Sequence, residues 1–268
     1  MKVKSFVYLL LSIFLFALVS CGGSEANGEE NDNPDSNIVN NIKDVDDQDF
    51  TLPEELAYTS TRHGFNYDKF YPIGWSKDGK FAYIMEPADE GSGFYLFEIV
   101  ILDIVNNKLV WSWKPEESED GNVQSTWKEN YDLFAQHLNE AEIIPTKDFK
   151  LEPTSASYKG NDYEIIMETA SEVDPDYGVD MIKEIEINLQ STELGVKQIY
   201  NQKTDGRDYI LSAYIPGFLL SQHDDRIVVI CQKERIGAGG PPNIVFFELI
   251  GSDLIRGFKK REEWVIAF

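Results

Sequence analysis

Cysteine is almost missing from this chain: Cys21 and Cys231 are the only two in 268 residues. A domain stapled by several disulfides is therefore excluded. Histidine is nearly as scarce, with only His63, His137 and His223. None of them stands in an H-E-x-x-H arrangement or a short His/Cys cluster, so the sequence carries no zinc motif. A G-x-S-x-G elbow is absent, and so is a glycine loop of the kind that cradles phosphate. Positive charge is short as well: 24 Lys and Arg stand against 47 Asp and Glu, for a net charge of −23. Such a surface repels nucleic acid and anionic headgroups. Cations, basic peptides and uncharged glycans stay open as partners. Long apolar runs are lacking too, with one exception.

The exception is Phe6 to Val19, 14 uncharged and largely apolar residues behind Lys2 and Lys4. As a helix rising about 1.5 Å per residue, the run spans roughly 21 Å, short of a hydrocarbon core about 30 Å thick. It reads as an export signal over residues 1–20, not as a permanent membrane span.

Leu18-Val19-Ser20-Cys21 directly follows that run and resembles the bacterial lipobox. The resemblance implies that Cys21 receives a diacylglyceryl thioether, becomes the N-terminus after cleavage and is acylated there by a palmitate-type chain. One acyl chain, at about 0.8 kcal/mol per buried CH₂, anchors only marginally, whereas two or three anchor durably. Cys231 is then the single remaining thiol. It follows the apolar run Arg226 to Ile230 and reads as a small buried hydrophobe. Losing residues 1–20 removes Lys2 and Lys4 and takes the net charge to −25. Gly22 after the cysteine resembles lipoproteins released toward the outer membrane of diderm bacteria, and the acids that follow resemble surface-exposed ones. The expectation is an exported protein, held on a membrane through Cys21, with its folded part in the periplasm or at the cell surface.

Gly22 to Phe50 holds nine acids and one lysine among 29 residues. Such a stretch cannot bury enough apolar surface to offset its ordering entropy. Residues 21–50 read as a lipidated acidic tether, with a coil dimension of roughly 30 Å. Residues 51–268 carry mixed patterning with no internal linker, which predicts one β-rich domain.

One amphipathic helix is expected near 125–141. Trp127, Tyr131, Phe134 and Leu138 fall on one face, Thr126 and Glu129 stand in capping-box spacing, and Pro145 lies beyond the end. The rest reads as strands. Asp78-Gly79 signals a turn before Lys80 to Ile84, and Phe94 to Trp111 reads as a strand, an Asn-Asn turn and another strand. This unit recurs: Leu219 to Ile230 with Phe246 to Leu254 parallels it, and Tyr163 to Thr169 with Lys183 to Leu189 is a fainter copy. The run WSKDGKFAYI followed by FYLFEIVILDI resembles the blade motif of WD40-like repeats of the TolB type. That resemblance implies blades and interaction surfaces. The expected fold is mainly β and antiparallel, propeller-like or a β-sandwich with the helix packed on it. Trp264, Ile266 and Phe268 alternate as in a closing strand.

Several residues could carry function. Pro87 to Gly93 and Gly237 to Asn243 occupy matching places in two repeats, so both loops should emerge on one edge. Asp89, Glu90 and Asn243 are their candidate binding residues. Trp111 and Trp113 project from one strand face, either to stack on sugar rings or to enter the core. His223 sits in the turn Ser221 to Arg226 beside Asp224 and Asp225, an exposed turn or a general base. Asp174, Asp176 and Asp180 surround Gly178 at odd spacing and could converge on Ca²⁺, although the pattern departs from an EF-hand loop. Two functions remain: a non-enzymatic binding or assembly module for an envelope protein or glycan, or an envelope hydrolase built from carboxylates and a histidine.

Overall fold

Alternating and continuous apolar runs send most of this chain into strands. The computed structural model describes residues 49–56, 66–116, 121–204, 208–237, 240 and 242–260. All belong to one compact unit spanning 45–268. Residues 1–48, with the export signal and Cys21, lie outside the described residues, as do His63 and the closing segment 261–268. In chain order come β1 (Asn66–Tyr67), β2 (Lys69–Trp75), β3 (Lys80–Glu86), β4 (Glu98–Asp103) and β5 (Lys108–Trp113). Two helices follow, α1 (Val123–Glu129) and α2 (Tyr131–Glu140), then β6 (Ile144–Pro145), β7 (Ser155–Tyr158) and β8 (Asn161–Val173). The last strands are β9 (Asp180–Ser191), β10 (Gly195–Lys203), β11 (Ile210–Leu220), β12 (Arg226–Arg235) and β13 (Ile244–Asp253).

The fold is mainly β, as expected, and each predicted strand–loop–strand unit enters a different sheet. β2 to β5 form an antiparallel meander, with β6 added beside β2. β7 to β10 form a second meander. β11 to β13 form the third, and β1 adds to it parallel to β13. The Asp78-Gly79 turn is as anticipated. Gly79 takes φ +96, which L side chains rarely adopt, and a Cβ there would run into Arg226.

Burial gives the stacking order. One face of the first meander (Ile73, Ile84, Ile99 and Ile101) packs on Trp127, Phe134 and Leu138 of the helices. Its other face (Phe70, Trp75 and Phe81) packs on Val228, Ile230 and Phe247 of the third sheet. The far side of that sheet (Ile227, Val229 and Cys231) packs on Ile185, Ile187 and Leu189 of the second. β12 is thus covered on both faces, which is why its sequence is a continuous apolar run and not an alternating one. Fully burying each such side chain contributes about 1.5–3 kcal/mol.

Two details differ from expectation. The helical span is two segments broken at Asn130, and its N-cap is Asn122, not Thr126. The Asn122 carboxamide accepts from the Ser125 N–H at 2.9 Å, and the Ser125 hydroxyl answers the Asn122 N–H. Asparagine outranks threonine as a cap. The folded body also begins before Thr51. Phe50 is buried in the helix-side core, its N–H donates to the Tyr131 hydroxyl, and that hydroxyl donates to Asp49 at 2.7 Å. Among the described residues no helix is long and apolar enough to cross a membrane.

Candidate functional site

Meanders alternate their turns between two ends, so every second loop shares an edge. At one end lie the loop after β3, the β8–β9 turn, the loop after β10 and the loop after β12. Contacts chain them together. Tyr177 of the β8–β9 turn meets Tyr209 edge to face, ring centroids 5.6 Å apart. Ile236, just past β12, donates its N–H to the Tyr209 carbonyl. Arg235, at the end of β12, ion-pairs with Glu90 of the loop after β3. All three sheets therefore contribute to one loop edge.

The loop after β3 is organised by its own aspartate. The Asp89 carboxylate accepts N–H bonds from Gly91, Ser92 and Gly93 at 2.8–3.1 Å and a bond from the Ser92 hydroxyl at 2.7 Å. These donors hold its pKa below the usual carboxylate value. Asp68 anchors the base of the loop, accepting from the Ala88 N–H at 2.8 Å and the Phe247 N–H at 3.3 Å. Burial is the larger influence there and pushes the Asp68 carboxyl up.

Between this loop and β10, β12 and β13 opens a cleft of about 530 Å³. Its floor is Lys233, only 1 % exposed. The ammonium donates to the Tyr200 hydroxyl at 2.9 Å, to Gln202 Oε1 at 2.6 Å and to the Glu248 carboxylate. Tyr200 in turn donates its hydroxyl proton to Glu248 at 2.5 Å. Burial and the Glu248 carboxylate raise the Tyr200 pKa well above its ordinary value. The Tyr200 and Phe246 rings lie 5.1 and 6.0 Å from the ammonium. All three ammonium donors are engaged and the charge is matched by Glu248, so Lys233 is a buried post holding β10 against β12 and β13. It is not a free nucleophile. Above it, the Arg235 guanidinium lies 5.4 Å from the Phe246 ring centroid. Asp208 lines the cleft beyond.

The β8–β9 turn completes the edge. Pro175 follows Asp174, and Gly178 takes φ +67, which suits a type I turn closed by a left-handed glycine. The Gly178 N–H donates to the Asp174 carbonyl at 2.8 Å. The Asp174 carboxylate accepts the N–H groups of Asp176 and Tyr177 at 3.0 and 3.2 Å. This scaffold leaves Val173 64 % and Tyr177 54 % exposed, with Val179 and Tyr209 also exposed beside them. Tyr209 itself has φ +50, a left-handed backbone costing a bulky residue of order 1–3 kcal/mol.

The structure thus brings Asp89, Glu90, Asp174, Asp176 and Asp180 to one edge with the cleft. Asn243 joins them, its side-chain amide donating to Glu234 at 2.7 Å. The β12–β13 loop is described only at 236, 237, 240, 242 and 243. Among the described residues no three His, Cys, Asp or Glu side chains gather where they could hold a metal ion. Asp174 spends its carboxylate on the turn instead.

Trp111 and Trp113 lie apart from the cleft. Both are half-buried on the helix side, with rings 6.4 and 5.1 Å from Phe134, and Trp111 stacks on His137 at 4.3 Å. His223 is exposed in the β11–β12 turn at the opposite end, where Asp224 pairs with Arg226 and Asp225 with Lys159. Sequence reading missed Lys233, Glu248, Tyr200, Gln202 and Arg235. Each sits at an unremarkable polar position, and strand order alone brings them together. Comparison with protein-family models, with curated proteins and with solved structures gives no match.

Proposed function

We propose that this protein is an exported, lipid-anchored binding module of the cell envelope, and that the loop edge beside the Lys233 cleft is its working face. The anchor half rests on sequence: two lysines, an apolar run too short to span, and Cys21 in a lipobox-like setting. The binding half rests on one observation. Among the described residues the two histidines lie away from the acid-lined cleft: His223 is exposed in a turn at the far end of β12, and His137 stacks on Trp111. A hydrolase needs its base within hydrogen-bond reach of a nucleophile and the acids that orient it. A rigid sheet edge carrying loops is what a binding module needs. Three meanders in succession also support the blade-like reading, in which loops at one end of the blades meet the partner.

Cys21→Ala tests the anchor. The variant should stay unprocessed or move to the soluble fraction; unchanged mass and fractionation would contradict lipidation.

A further inference from the structure

We infer that the partner met at this edge is a protein, and that it docks through an extended basic segment in which Lys or Arg alternates with apolar residues. The inference rests on the loop edge being the binding face and adds what that face selects.

Charge is the first ground. At the β8–β9 turn and the loop after β10, Asp176, Asp180 and Asp208 are all exposed. The two cations of the adjoining cleft are neutralised within the protein, Lys233 by Glu248 and Arg235 by Glu90. Lys203, at the end of β10, is paired with Glu184, so among the described residues of this edge exposed carboxylates outnumber unpaired cations, on a chain already at −23. An incoming cation is attracted and an acidic or phosphorylated segment repelled.

The second ground is apolar and independent of charge. Tyr177 and Tyr209 meet edge to face with both rings exposed, and Val173 and Val179 are exposed on the two arms of the β8–β9 turn. Paired aromatic side chains exposed in this way mark contact surfaces. Lysine and arginine fit both grounds together, because their stems lie along apolar or aromatic surface while their charged heads reach carboxylates. Arg235 already does this inside the cleft, lying over Phe246 while pairing with Glu90. It shows the geometry in which this edge holds a cation. A neutral glycan would use the tyrosines but leave the carboxylates without matching charge.

The test uses the full chain and three probes: a peptide alternating lysine with valine and tyrosine, the same peptide with glutamate for lysine, and a chito-oligosaccharide. The basic peptide should bind, weaken as salt rises, and outcompete the acidic one. Tyr177→Ser combined with Tyr209→Ser keeps the net charge and should weaken binding about tenfold, as loss of paired aromatic anchors does. Val105→Ser with Ile255→Ser, at exposed positions of the opposite end, should leave it unchanged, and thermal melts of both variants should stay near wild type. Equal binding by the tyrosine variant would mean generic attraction to an acidic protein and would overturn the inference. Binding of the oligosaccharide instead, lost in the tyrosine variant, would also overturn it while leaving the loop edge as the working face. Binding of no probe rules out the basic-segment partner.

Discussion

Lys233 and Glu248 form an asymmetric pair: the ammonium is 1 % exposed, whereas the carboxylate that neutralises it is 39 % exposed. Water can solvate one partner and not the other, so the two substitutions are not equivalent. Glu248→Leu strands a buried ammonium and should cost about 3–5 kcal/mol. Lys233→Met leaves a carboxylate that water and Tyr200 still satisfy, and should cost about 1–3 kcal/mol. Urea denaturation of both variants checks the order. Equal losses, or a larger one for Lys233→Met, would contradict the asymmetry.

Phe134 stands at the centre of the helix-side core, with the rings of Phe97, Trp111, Trp113 and Trp127 between 5.1 and 6.4 Å away. Phe134→Ala should cost about 3–5 kcal/mol, through lost burial and a cavity the other rings cannot close. Binding at the loop edge should survive in the fraction that folds.

Asp68 gives stability a pH dependence of defined sign. Burial raises its folded pKa above the ordinary 3.8, so the folded chain holds this proton after the unfolded chain has released it. The contribution is fully present below 3.8 and is lost as pH rises through the higher folded value. Asp68→Asn removes the titration. Across this window the change of melting temperature with rising pH should be more positive for the variant than for the parent. Identical slopes would remove Asp68 from the account.

Thiol counting links the anchor to the core. Burial pushes the Cys231 thiol to about 11 and the side chain is fully enclosed, so it should not react with a disulfide reagent in the native state. With Cys21 lipidated, the mature protein should show no reactive thiol when native and one when unfolded. Two on unfolding would mean that Cys21 is bare.

Strand–loop–strand repeats were legible because alternation and turn residues are local: residues 75–104, 163–189 and 219–254 each entered their own sheet. The loop Pro87 to Gly93 was legible for the same reason, since glycine and aspartate mark a loop wherever the sheets pack. The helical span was visible from its apolar stripe, but its break at Asn130 was not, and the Asn122 cap was passed over although Ser125 stands three residues on. The cleft was not legible. Lys233 reads as the polar tail of a strand, and it is buried only because Tyr200 and Gln202 arrive from a different sheet. The pairing of β1 with β13 is equally non-local. Periodicity says which faces are apolar and is silent on which sheet covers them.

One measurement bears most directly on the loop edge. A photo-crosslinking side chain is placed at Tyr177 in one variant and at Ile255, also exposed but at the opposite end, in another; each is expressed in its own host and illuminated in intact cells. Our account predicts a discrete crosslinked species from position 177 that disappears with Tyr209→Ser, and none from position 255. Crosslinks from 255 alone, or the same species from both, would mean that the partner meets a different face.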